Sequence, residues 1–346
     1  MIVPAPGNMN TYQKPQSQRS CARSGGGEGS VDSVSFLATS DTGSTAAARA
    51  VFADMGAEIT AGAYRSTVSP VRFALHGGDA TYGMDGADAA KRAAMAMGFY
   101  AAAQPVASAV PMMTALGNHD LLMFRSQNPQ QQLSAEEMPF LLRPEADARS
   151  DGVMTAPPAA LGLYYSFQEG GVRVIVLNTE ERYGVGSAQQ TWLSDQMRSA
   201  NAPTGREICP WVVVMMHRPM YSASEWYENT REPGAVGTAG DLAAELETIL
   251  VEGGVVRLFS LIFSQLFSLI VYKSSAEFGS TLGQDLVLAG HVHHYERTHA
   301  TKHNGGSVIR PVMTKDQVDR YDRPGAPVYI LRAEFMPSYS TCLTIC

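Results

Sequence analysis

Five short apolar runs, each emptying directly into an Asp, Asn or His, constrain this chain more than any other feature. VSFLATSD ends at Asp41 and VRFALHGGD at Asp79; VPMMTALGNHD ends in the cluster Asn118, His119 and Asp120. ICPWVVVMMH ends at His217, and DLVLAGHVHHYER carries His291 and His293. Bounded runs of this length and composition read as buried strands. Stretches with helical spacing lie between them: TAAARAVFADMGA, the Ala-rich residues 87–106, QQTWLSDQMRSA and DLAAELETILVEGG, the last with a Gly stop. GLYYSFQEGGVRVIVLNTE predicts a hairpin-like pair of strands around Glu169-Gly170-Gly171, and APVYIL a last strand. Alternation of this kind predicts an α/β architecture. Such sheets bind ligands beyond the carboxyl ends of their strands, where these polar residues fall.

Taken singly, each residue has a plain structural reading. Asp41 in SDTGST fits a helix N-cap, and Asp79 a turn. Asn118, His119 and Asp120 fit a polar loop, and His217 a core histidine. Taken together, the set mixes carboxylate, amide oxygen and imidazole, a donor combination that suits iron, zinc or manganese. No cysteine belongs to it, which argues against a structural thiolate zinc site. His291 and His293 are two apart on a strand-like segment, so ideal strand geometry puts both on one face.

Composition narrows the function classes. The chain has 346 residues, 45% of them hydrophobic, which allows one large domain or two small ones with a sizeable core. The net charge is −7. No basic patch argues for nucleic acid, so phosphate recognition is expected from a local site. The four cysteines form neither a zinc knuckle nor a dense disulfide framework and leave the redox compartment open. Residues 1–30, rich in Gly, Ser, Pro and Gln, read as a disordered lead without the apolar core of a signal peptide. They assign no localisation.

The motifs GDATY (78–82), GNHD (117–120), MHRPMY (216–221) and GHVHHYER (290–297) resemble the calcineurin-like metallophosphoesterases, and within them the purple acid phosphatases. SDTG (40–43) stands where the family's first Asp-containing motif belongs, and YYSF, VIVLNT and QQTWL are softer matches. The resemblance implies an α/β/β/α sandwich of two packed mixed sheets flanked by helices. It implies an acid phosphatase that hydrolyses small phosphate monoesters, with a phosphodiesterase, a nucleotide-hydrolysing enzyme or a catalytically impaired relative as alternatives. By the same resemblance, Asp41, Asp79, Tyr82 and His293 hold an iron(III), and Asp79 bridges to a divalent zinc, iron or manganese held also by Asn118, His217 and His291. Tyr82 points to the purple branch, whose colour comes from a tyrosinate on iron. A hydroxide on metals roughly 3.5–4 Å apart would attack phosphorus. His119 would sit beside the phosphate, and Asp120 would orient a nearby imidazole.

The chain also departs from the family. Ser40 replaces the usual Gly before the first Asp. The stretch SASEWYENTREPG lacks the histidines that many plant members carry there, leaving the leaving-group acid unassigned. His294 is expected to point away from the metals, and His76, His299 and His303 receive no role. Residues 256–284, with their repeated LFSLI, interrupt the helix-to-strand junction; deleting them restores VEGGVDLVLAGHVHHYER. Their apolar run from Leu258 to Tyr272 is shorter than the roughly 20 residues of a membrane span. An insertion or a retained intron with GT…AG ends is the expectation, and no membrane contact. The metallophosphoesterase domain is placed at 31–335 and an irregular tail at 336–346.

Overall fold

The computed structural model describes residues 34–60, 70–83, 89–120, 154–155, 163–169, 171–209, 211–222, 239–252, 268–271, 286–293, 296–297, 302–304, 307–309, 328–331 and 341–345. The first half runs β1 (Val34–Thr39), α1 (Ala46–Thr60), β2 (Val71–His76), α2 (Ala89–Ala107) and β3 (Met112–Thr114). It continues with β4 (Met154–Thr155), β5 (Tyr165–Glu169), β6 (Val172–Val176), α3 (Ala188–Asn201) and α4 (Pro203–Ile208). The second half runs β7 (Trp211–Met215), α5 (Ala239–Glu252), β8 (Ser268–Val271), β9 (Leu286–Ala289) and β10 (Glu296–Arg297). It ends with β11 (Lys302–Asn304), β12 (Ser307–Ile309), β13 (Val328–Leu331) and β14 (Thr341–Ile345).

The strands form two mixed sheets and a small β11–β12 hairpin. One sheet has the order β3-β2-β1-β14-β8, with β1, β2 and β3 parallel and β14 antiparallel to β1. The other has the order β10-β13-β9-β7-β6-β5-β4, with β6, β7, β9 and β13 parallel. The expected hairpin is present as antiparallel β5 and β6.

Side-chain alternation explains the layering. In β1, Phe36 faces inward and stacks on Phe73 at 4.9 Å, and Phe73 meets Phe167 of the second sheet edge-on at 5.5 Å. Val174, Val213 and Leu288 join that inter-sheet core. The neighbouring Leu37 faces the other way, into a core with Val51, Phe52 and Phe99 of α1 and α2. On the far side, Ile175, Val214 and Val287 pack against Leu193 of α3 and Leu246 of α5. Both faces of β1, β7 and β9 are covered, so β7 and β9 are continuous apolar runs rather than alternating ones. Burying each such side chain stabilises by about 1.5–3 kcal/mol. The Tyr165 hydroxyl donates to Thr114 O at 2.8 Å, and Arg72 pairs with Glu169 at 2.7 Å, tying one sheet to the other. This is the expected α/β/β/α sandwich.

Two further strands lie in stretches that the sequence analysis set apart. Residues 341–345, expected in an irregular tail, form β14, which pairs with β1 from Val34↔Ile345 to Ala38↔Thr341. The reason is physical: TCLTI consists of β-branched and apolar residues, and β1 offers it an open row of backbone groups. Within the stretch expected to be an insertion, Ser268–Val271 forms β8, which lies on the edge beside β14. Residues 1–30 and most of 256–284 lie outside the described residues, as does His294. No described helix is long and apolar enough to cross a membrane.

Candidate metal centre

The site is built at the carboxyl ends of five parallel strands from the two sheets. Asp41 follows β1, Asp79 follows β2, and Asn118, His119 and Asp120 open a helical turn after β3. His217 follows β7 and His291 follows β9. Backbone bonds hold the strand ends together within each sheet, and the His291 amide bridges the two sheets. The Asp41 amide donates to Gly78 O at 2.9 Å, and the Gly290 amide to His217 O at 2.9 Å. The His291 amide donates to both oxygens of Asp41, at 2.9 and 3.0 Å.

Asp41 is not a helix cap. The first amides of α1 are served by Thr45, whose hydroxyl accepts from the Ala48 amide at 3.1 Å. Asp41, Asp79 and His291 have φ of 57, 53 and 69°, and they are the positive-φ non-glycine residues among those described. That conformation costs non-glycine residues about 1–3 kcal/mol each. Strain gathered on three site residues is the mark of a functional centre rather than of turns chosen for stability.

The two C-terminal histidines converge on the site, but not as expected. β9 ends at Ala289, and His291 and His293 lie on a bend, not on one face of a strand. A Cβ at Gly290 would fall inside Ser40 Oγ and the Asp41 carboxylate, so the backbone must pass against the first motif and turn. Gly117 plays the same part against the Asp79 carboxylate.

The polar atoms converge tightly. Ligand atoms of Asp41, Asp79 and His217 lie within 4.8 Å of one another. Asn118 Oδ1 is 2.9 Å from His217 Nε2 and 2.9 Å from His291 Nδ1. His293 Nε2 is 3.6 Å from Asp41 Oδ1 and 3.2 Å from the Tyr82 hydroxyl. The His119 ring lies 4.6 Å from that of Tyr82, and its amide donates to Asp79 Oδ1 at 2.9 Å. All nine residues singled out from the sequence are brought to one place.

The electrostatics have the shape of a cation site. His217 Nδ1 faces Gly77 O at 3.0 Å, so that nitrogen carries the proton. Burial, with His291 and Arg218 nearby, holds the ring well below the usual imidazole range and therefore neutral. Nε2 is left as a bare lone pair aimed at Asn118 Oδ1 and, at 3.4 Å, at Asp79 Oδ1. Asp79 Oδ2 is buried without a hydrogen-bond partner. Burial, then Asp120 and Asp41, pushes the Asp79 carboxyl well above the usual range. Asp41 is raised by burial against the opposing pull of His293 and Ser40. Burial, then the same carboxylates, also raises the Tyr82 phenol. Converging lone pairs without protons, and acids that resist ionising, are what a metal ion neutralises. The donor set fits a metal.

Asp120 is tied to the backbone of the second motif. Its carboxylate accepts from the amides of Ala80, Thr81 and Gly117 at 3.3, 3.0 and 3.0 Å, and from the Thr81 hydroxyl at 2.9 Å. It therefore pins the backbone between Asp79 and Tyr82. Its pKa is pushed up to about 6 by burial, against the pull of those donors.

Five residues at the site had no role assigned from the sequence. Ser40 donates to Asp41 Oδ2. Thr42 meets His76 Nε2 at 2.9 Å, so His76 braces the first loop from below. Arg218 and Glu180 form a buried ion pair at 2.8 Å beside His291. Glu180 follows VRVIVLNT, so the signal that marked the other site residues, a polar residue at the end of an apolar run, was available for it too.

Residues 34–295 match the calcineurin-like phosphoesterase family, and the chain belongs to it. Its curated relatives include plant purple acid phosphatases. It is 28% identical over 230 residues to "Probable purple acid phosphatase 20" of Arabidopsis thaliana, covering 66% of this chain and 38% of that protein. It is 26% identical over 211 residues to "Purple acid phosphatase 18" of the same plant, covering 60% and 36%. An Arabidopsis protein named "Probable inactive purple acid phosphatase 9" is 25% identical, with 60% and 27% covered. The chain thus spans little more than a third of the length of the relatives it matches. Among solved structures, a purple acid phosphatase from yellow lupin seeds aligns with a TM-score of 0.49 at 17% identity, over 89% of this chain and 46% of that one.

Proposed function

We propose that the chain hydrolyses phosphate monoesters at acid pH with a dinuclear centre of iron(III) and a divalent zinc, iron or manganese. One observation carries this reading: Asp79, buried and with Oδ2 unpartnered, stands among Asp41, His217 and Asn118, whose oxygen and nitrogen donor atoms converge. A carboxylate so placed is suited to bridge two cations. Asp41, Asp79, Tyr82 and His293 would hold the first metal; Asp79, Asn118, His217 and His291 would hold the second. When bound, the pair would supply Lewis acidity and a nucleophilic oxygen for in-line attack on phosphorus.

The chain's own groups set the stage for that chemistry. Asp120 fixes the Ala80–Thr81 backbone and so the separation of Asp79 from Tyr82. Ser40 and the His291 amide hold the Asp41 carboxylate in place. His119, packed on Tyr82, is the group we assign to hydrogen-bond the phosphoryl oxygens or carry a proton.

The test is direct. Purify the full chain, measure metals per chain and the visible spectrum, and assay p-nitrophenyl phosphate and its bis ester across pH. Two metals, a tyrosinate–iron band that Tyr82→Phe removes, and monoester activity in acid are expected. A colourless protein active only on the diester would replace this reading with a phosphodiesterase. A metal-free, inert protein would replace it with a non-catalytic relative.

A further inference from the structure

We propose that Ser40 is a positioning residue that decides which oxygen of Asp41 the first metal takes, leaving Oδ1 to the metal and withholding Oδ2. The inference deepens the dinuclear reading above and rests on it. The His291 amide donates to Oδ1 at 2.9 Å and to Oδ2 at 3.0 Å. A donor shared so evenly fixes the plane of the carboxylate but does not tell its oxygens apart. The Ser40 hydroxyl does. It donates to Oδ2, while its other acceptor in range, Gly78 O, stands off at 3.4 Å.

Counting lone pairs gives the consequence. An ionised carboxylate offers about two on each oxygen and has no proton to give, so Ser40 is the donor. On Oδ2 the hydroxyl and the amide engage both. On Oδ1 the amide engages one, and the other stays open. Oδ1 is also the oxygen that lies toward the remaining ligands of the first metal. His293 Nε2 is 3.6 Å from it, and the Tyr82 hydroxyl is 3.2 Å from that nitrogen.

The surroundings are shaped to this hydroxyl. Ser40 and Asp41 are 2% and 3% exposed, so water has little access to Oδ2. A Cβ at Gly290 would stand 1.9 Å from Ser40 Oγ, and one at Gly77 3.0 Å from it. Glycines after β9 and β2, one from each sheet, thus leave open the space that the hydroxyl fills. A hydroxyl on a carboxylate makes a charge-assisted bond and draws electron density from it. One oxygen instead of two, and a weaker donor, both leave the metal beside Tyr82 more electron-poor.

The experiment uses the full chain loaded with iron(III). It reads the tyrosinate–iron band and the reduction midpoint of the iron, neither of which needs turnover. Ser40→Ala and Ser40→Gly remove the hydroxyl without adding bulk; far-UV spectra check folding, and should one fail to fold, the other decides. Once freed, Oδ2 joins Oδ1 on the metal, and a more electron-rich iron raises the energy of charge transfer from Tyr82. Both variants are expected to keep iron, with the band moved to shorter wavelength and the midpoint lowered. A hydroxyl that merely fills space would leave both readings at their wild-type values. That result, a shift the other way, or loss of the iron overturns the inference while the dinuclear reading stands. A wild-type chain that takes up no iron, or takes it up without the band, overturns both.

Discussion

His76 shows how one side chain couples the first loop to pH. It is fully buried, meets the Thr42 hydroxyl, and packs edge-on against Phe99 at 5.2 Å. Burial pushes its pKa down to about 3, from 6.5 in the unfolded chain. Its stabilising contribution is therefore complete above pH 6.5 and is lost as pH falls toward about 3, because the unfolded state binds the proton first. At pH 5 the loss is about 2 kcal/mol. His76→Phe should flatten the fall in unfolding free energy between pH 6.5 and 5, measured by denaturant titration; an unchanged slope would refute the assignment. Asp79 makes the complementary case. Its carboxyl is buried among Asp120 and Asp41. Asp79→Asn should stabilise the metal-free chain by on the order of 1–3 kcal/mol while abolishing metal uptake, read by thermal melting in chelator beside metal analysis.

At the scale of elements, the helices over the first sheet cross at a glycine. A Cβ at Gly56 of α1 would stand 2.7 Å from Pro105 Cβ and 3.0 Å from Pro105 O in α2. Alanine gains about 1 kcal/mol of helix propensity over glycine, but overpacking costs about 1–3 kcal/mol. The clash with a ring and a carbonyl wins, so Gly56→Ala should lower the Tm; a higher Tm would mean that the helices part freely. The turn after β9 shows where sequence periodicity fails. The spacing of His291 and His293 fits a strand, but the strand stops two residues earlier because Gly290 lies against Ser40 and Asp41, far away in the chain. Asp120 shows a similar limit: the amides of Thr81 and Gly117 donate to its carboxylate, and no side-chain pattern reveals them.

For the whole molecule, the metals and the sandwich should stabilise each other. A metal at 1,000 times its Kd adds about 4.1 kcal/mol to the folded state. Chelation should therefore lower the wild-type Tm by several degrees and leave that of Asp79→Asn unmoved. Residues 256–284 are a second case. Among the described residues, their strand β8 occupies the sheet edge, pairs with β14 alone and carries no site residue. A chain lacking 256–284 should fold and bind metal like the full chain, and failure to fold would show that this edge is required.

The amino-acid sequence by itself pointed to the layers and to the polar residues that meet at the strand ends. Apolar runs covered on both faces could only be buried strands, and Asp41, Asp79, Asn118, His217 and His291 at their ends could only gather where those ends meet. Tertiary structure alone decided the rest: the left-handed backbone at Asp41, Asp79 and His291, the bend that carries His293 to Tyr82, and the Glu180–Arg218 pair beside His291. These depend on contacts between segments as far apart as Asp41 and His291, and on which groups lose water when the sheets close. Local pattern carries neither kind of information.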